Sequence, residues 1–188
     1  MTIRSKSARF GCLALVASML ACGETVAEDK AAEISVKAVI AHKIAKFVSW
    51  PDSRFERQDT PLRICVLGDK MMLDAFRLLA NRPIHGRSLS VVPAPAPLFV
   101  AQSCDVLYFG EKDDRDENEW LGSVAGQPVL TFGEAGGYGG QGTIVTMTIR
   151  RNRVSFSINL DANEDTGLRI SAQLLQLAAS VGTPGAAP

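Results

Sequence analysis

The chain has 188 residues, 46% of them hydrophobic and 21% charged, the composition of one globular domain with a core of its own. Its 20 basic and 20 acidic side chains balance, so there is no basic surplus to release counterions from a phosphate backbone. No Lys/Arg run interleaves with aromatics either, which excludes a nucleic-acid binder and leaves proteins and small molecules as partner classes.

Arg4, Lys6 and Arg9 precede an apolar run over residues 11–21 that is too short to span a bilayer as a mature helix. The pattern predicts a secretory signal over residues 1–27, with Thr25 and Ala27 as the small residues before the cleaved bond. Leu20, Ala21 and Cys22 offer a rival reading, lipid anchoring at Cys22, but Met19 makes a poor lipobox and cleavage after Ala27 is preferred. The remaining chain, a domain over 28–181 with a flexible tail over 182–188, keeps 17 basic and 19 acidic side chains, a net charge near −2. It also keeps only Cys65 and Cys104. In an oxidising compartment such a pair favours a disulfide, and two buried thiols are the alternative because both lie in apolar runs.

Val36, Ile40, Ile44 and Phe47 recur at helical spacing, with Val39 and Val48 flanking them. This predicts a helix whose buried face they form, with Lys37, Lys43 and Lys46 at its edge or opposite, ending at Trp50 because Pro51 disfavours the helical conformation there. Residues 51–61 are polar and read as a loop carrying the aromatic Phe55. A strand over 62–67 follows, then Asp69 as a helix N-cap and a helical pattern from Met72 to about Asn81, broken by Pro83 and Gly86. A second strand covers 89–92. The proline-alanine run over 93–97 is an extended connector or a sheet edge.

A third strand is expected within 104–110, a helix with acidic residues early within 111–120, and a fourth strand over 128–132. Val145, Met147 and Ile149, then Val154, Phe156 and Ile158, alternate with polar residues, so two half-buried strands flank Arg151 and Asn152 as an antiparallel hairpin. Asn159 or Asp161 caps a short turn ended by Gly167, and Ile170, Leu174, Leu177 and Val181 form the stripe of a final helix. The order predicts a single α/β domain, with a mixed central β-sheet flanked by helices on its faces, a C-terminal antiparallel hairpin and a terminal helix.

Chemical motifs are sparse. Residues 137–142 spell GYGGQG, the letters of a dinucleotide fingerprint, but strand patterns lie on both sides and no helix follows to hold a pyrophosphate. The cluster of Glu111, Asp113, Asp114, Asp116, Glu117 and Glu119 lacks the turn glycine and terminal glutamate of a calcium loop and is diluted by Lys112 and Arg115, so it reads as a solvated face. His42 and His85 have no partner at ligand spacing, and His42 reads as a helix-surface residue. No catalytic residue, metal site or cofactor is assigned.

The blocks FVSWP (47–51), LRICVLGD (62–69), CDVLYFG (104–110), PVLTFGEAGGYGGQGTI (128–144) and VSFSINLDA through GLRISAQLLQLA (154–178) resemble, in order, those of the YfiR family of periplasmic regulators. The family often has aromatics where His42 and Ile44 stand. The protein that gives the family its name is similar in the Cys65 and Cys104 pair, but it carries a second pair near the hairpin that this chain lacks. The resemblance implies a periplasmic, non-catalytic inhibitor of an inner-membrane diguanylate cyclase, bound through the cyclase's periplasmic sensor region, with an outer-membrane lipoprotein able to sequester it. Contact residues then matter most: Trp50, Phe55 and Tyr138 are the partner-binding candidates, and apolar helix edges fit a homodimer. The alternative is a periplasmic small-molecule sensor acting on a histidine kinase or other membrane protein, with a crevice at Gly68 and Gly110 beyond the strand ends.

Overall fold

A computed structural model describes residues 21–110, 116–137, 142–150 and 153–182. The chain clusters into two compact units, 1–33 and 34–188. The described part of the first is helical, with residues 28–33 exposed. Among the described residues no helix is long and apolar enough to cross a membrane.

The second unit is built on a seven-stranded sheet in the order β3-β2-β4-β5-β6-β7-β9. Its strands are β2 (Leu62–Leu67), β3 (Leu89–Pro93), β4 (Val106–Phe109), β5 (Leu130–Glu134), β6 (Val145–Arg150), β7 (Arg153–Ile158) and β9 (Ser180–Val181). Among the described residues of this sheet only the β6/β7 hairpin is antiparallel, in the register Val145↔Ile158 to Arg150↔Arg153. A separate antiparallel pair joins β1 (Val48–Ser49) to β8 (Arg169–Ile170). The predicted α/β class with a mixed sheet, C-terminal hairpin and terminal helix is therefore the observed one.

Strand residues alternate between two apolar layers, as a period of two requires. Ile64, Val66, Val106, Tyr108 and Phe132 pack with α1 (Ala21–Ala45, from Ile34 onward) and α2 (Lys70–Arg77). Cys65, Leu67, Leu107 and Phe109 pack on the opposite face with α3 (Pro97–Ser103) and α4 (Glu117–Val124). Both faces of β2 and β4 are thus covered, which explains their unbroken apolar runs.

Four local expectations change. Helix α1 stops at Ala45 rather than Trp50, since residues 48–49 pair with 169–170 and Ser171 N–H donates to Phe47 O at 2.9 Å. Its buried stripe is Ile34, Ala38, Ala41 and Ala45 together with Ile44, while Val36 is 47% exposed. Alanines at this spacing satisfy the same period as the aliphatic series. Helix α3 begins inside the connector expected over 93–97: Pro97 occupies its first turn, where a missing N–H is harmless. The terminal helix is only α5 (Ala172–Leu177), capped by Ser171. Beyond it Ala179 N–H donates to Phe156 O and Gly182 N–H to Ile158 O, so pairing with β7 converts the predicted last helical turn into β9.

Other signals hold. Asp69 caps α2, accepting from Met72 N–H at 2.9 Å, and Asn159 accepts from Ala162 N–H at 3.1 Å. Asp116 caps α4 in the same way, accepting from Asn118 N–H at 2.9 Å. Residues 111–115 and the tail beyond 182 lie outside the described residues.

Candidate functional site

The segment after β1 is fixed to the start of β4 by a dense set of polar contacts. Residues Asp52–Arg54 make one 3-10 turn, which aims Arg54 at the C-terminal end of α3. Its Nε donates to Asp105 Oδ1 at 2.7 Å, Nη1 to Ala101 O at 2.7 Å and Nη2 to Cys104 O at 2.6 Å. The guanidinium therefore satisfies helix-end carbonyls that would otherwise be orphaned. Asp105 in turn accepts the Arg63 N–H on Oδ2 at 2.7 Å, and its carbonyl oxygen accepts the Trp50 indole Nε1–H at 3.1 Å. Cys65 and Cys104 are joined as a disulfide, Cα–Cα 5.7 Å, with both residues 0% exposed. Of the two states the sequence left open, the bridge is the one present.

A second local device positions the facing loop. Ile84–His85–Gly86–Arg87 is a tight reversal closed by Ile84 N–H to Arg87 O at 3.1 Å and Arg87 N–H to Ile84 O at 2.9 Å. His85 and Gly86 both have positive φ, 49° and 77°, the signature of a primed turn. Glycine adopts this freely and histidine tolerates it better than most residues. The turn lets His85 Nε2 donate to Val48 O at 2.8 Å and sets the Arg87 guanidinium 3.8 Å over the Phe55 ring. Arg87 Nη1 is held by the carbonyls of Arg57, Gln58 and Thr60.

Between these two devices lies a depression of about 180 Å³, lined by Trp50, Phe55, Leu62, His85, Arg87 and the Ser49 and Asp52 rim. It unites two of the contact residues read from sequence. Trp50 is only 6% exposed, so most of its ring belongs to the core, whereas Phe55 is half-buried at the edge. Tyr138 lies outside the described residues. The sequence singles out none of Arg54, Arg87 and Asp105 and weighs His85 only as a metal ligand; no local pattern marks them, because Arg54 and Asp105 meet across 51 residues.

Two side chains read as surface residues are buried. Lys37 is 6% exposed and donates to Glu134 Oε2 at 2.7 Å, while Tyr108 OH donates to Glu134 Oε1 at 3.0 Å. His42 is 4% exposed and donates from Nε2 to Arg82 O at 2.9 Å. Burial holds its pKa below the usual histidine value, a shift the backbone bond opposes and the charges of Lys46 and Arg82 reinforce.

The crevice expected at Gly68 and Gly110 is closed at the second of these. Gly110 N–H donates to Leu67 O at 2.9 Å, and a Cβ at residue 110 would collide with Asp69 Cβ and Leu67 O. Glycine here serves close packing of two loops. A larger cavity, about 380 Å³, lies between α4 and the loops at Ile144 and Ala162, with Leu121, Val124 and Thr131 in its wall and Asp161 and Glu164 at its rim. The family model described as YfiR/HmsC-like matches residues 34–179, nearly all of the second unit.

Proposed function

The chain belongs to the YfiR/HmsC-like family, and from that premise we propose that it is a non-catalytic periplasmic regulator. It binds the extracytoplasmic sensor region of an inner-membrane diguanylate cyclase and holds the cyclase inactive, lowering cyclic-di-GMP and biofilm formation. Residues 1–27 act as the export signal and are cleaved after Ala27. The observation that carries this reading is the family match across residues 34–179.

The state of the reactive side chains supports a binding role. His42 and His85 hold backbone carbonyls, and both cysteines of the domain are consumed by the disulfide. Inhibition then works as a population shift: the regulator binds the inactive cyclase conformation more tightly than the active one. An outer-membrane lipoprotein that captures the regulator relieves the inhibition. Trp50, Phe55 and Tyr138 remain the proposed partner contacts. The decisive experiment is deletion of the gene. The reading expects raised cyclic-di-GMP and surface attachment, restored by the intact gene, and co-purification of a membrane cyclase with the tagged chain. Unchanged cyclic-di-GMP with no cyclase recovered rejects it.

The 380 Å³ cavity favours one second reading, a small-molecule sensor acting on a histidine kinase or other membrane protein, because its size lies within the range of ligand pockets. The carboxylates at its rim would suit an amine. A thermal-shift screen of small amines tests this, and no saturable shift at millimolar concentration rejects it.

A further inference from the structure

The depression at Trp50 and Phe55 combines an apolar floor with a partly used cation. About 180 Å³ is too small for a drug-sized ligand, whose pockets begin near ~300 Å³, and matches a single anchoring side chain of a macromolecule. Its floor is rigid: Leu62 is 1% exposed, Trp50 is tied to Asp105, and Phe55 lies under the Arg87 guanidinium. Of the five N–H donors on Arg87, those on Nη1 are spent on three carbonyls. Nε and Nη2 have no acceptor among the described residues, and they form the edge that takes a carboxylate in bidentate fashion.

We propose that this depression anchors an acidic peptide segment of the protein partner, one apolar side chain filling the cavity and a flanking carboxylate paired with Arg87. The proposal rests on the reading of the chain as a protein-binding regulator and adds the chemistry of the segment it recognises. Asp52, exposed on the same rim, disfavours that carboxylate and therefore sets a charge test with two opposite arms.

The test follows the Trp50 indole resonance by NMR in the natively produced chain, assigned by its persistence in Trp120→Phe. The probes are the capped peptides Glu-Glu-Phe-Glu-Glu, Lys-Lys-Phe-Lys-Lys and Glu-Glu-Ala-Glu-Glu. The first should shift the resonance saturably, at least about tenfold more tightly than either control, a margin set by one charge-assisted hydrogen bond or one buried ring. Arg87→Gln should remove that preference. Asp52→Asn, at an exposed position that leaves the fold intact, should tighten binding severalfold. Equal binding of the lysine peptide, no response to any peptide, or an unaltered affinity in Asp52→Asn overturns the proposal. Preferential binding of the first peptide by a chain whose deletion leaves cyclic-di-GMP unchanged supports the site and overturns the cyclase reading.

Discussion

The indole Nε1 of Trp50 donates to the main-chain carbonyl of Asp105 at 3.1 Å, tying the residue before Pro51 to the residue after Cys104. Leu130 N–H donates to the same oxygen at 2.9 Å, so the carbonyl stays satisfied if the indole is lost. Trp50→Ala should therefore destabilise mainly through lost packing, by about 3–5 kcal/mol, and Trp50→Phe by only about 1 kcal/mol. Urea denaturation measures both. An unchanged midpoint for Trp50→Ala would show that the ring serves contact rather than core.

The Arg54 and Asp105 side chains are 13% and 9% exposed, so the pair is shielded from solvent. Removing Arg54 strands the Asp105 carboxylate together with the carbonyls of Ala101 and Cys104. Arg54→Ala should cost about 3 kcal/mol, far more than removal of Arg57 from its exposed pair with Asp59, which should cost less than about 1 kcal/mol. Equal losses would contradict the burial argument.

The disulfide closes a loop of sequence separation 39, which in the chain-entropy model stabilises the fold by about 4 kcal/mol. The double variant Cys65→Ala with Cys104→Ala should lower stability by about 2–4 kcal/mol. Because both cysteines are fully buried, thiol titration after mild reductant should find no free thiol in the native chain and two per domain once urea is added. Prompt reduction of the folded chain would count against this placement.

His42 titrates below its ordinary 6.5 because burial penalises its charged form. The unfolded chain then binds more protons than the folded one as pH falls below about 6.5, so this residue lowers stability progressively on acidification and contributes nothing above that value. His42→Gln can keep the bond to Arg82 O without titrating. Comparing denaturation midpoints at pH 7.5 and 5.5, the loss on acidification should be smaller in the variant than in the parent. A parallel loss in both would show that His42 takes up its proton freely in the fold.

Local signals were legible where neighbouring residues decide the structure. The apolar runs of β2, β4 and β5, the alternation of β6 and β7, and the caps Asp69 and Asn159 depend on side chains a few positions apart, and all of these elements are present. What failed depends on distant chain. Helix α1 ends early because β1 pairs with a strand more than 100 residues away, and α5 is cut short because β9 pairs with a strand more than 20 residues back, on the far side of that helix. Lys37 and His42 look like surface residues until Glu134 and the Arg82 carbonyl supply partners that make their burial tolerable.

By itself, then, the sequence determined an α/β domain with a mixed sheet covered by helices, a hairpin, one pair of cysteines and the ordered blocks of its family. Periodicity and composition act within a window of a few residues, and they are enough for that. Only the tertiary structure decided that α1 turns its alanines inward, that Gly110 closes a crevice, and that Trp50, Phe55, His85 and Arg87 share one depression. These follow from close packing and from satisfying buried hydrogen-bonding groups across long separations, conditions that exist only once the chain has folded.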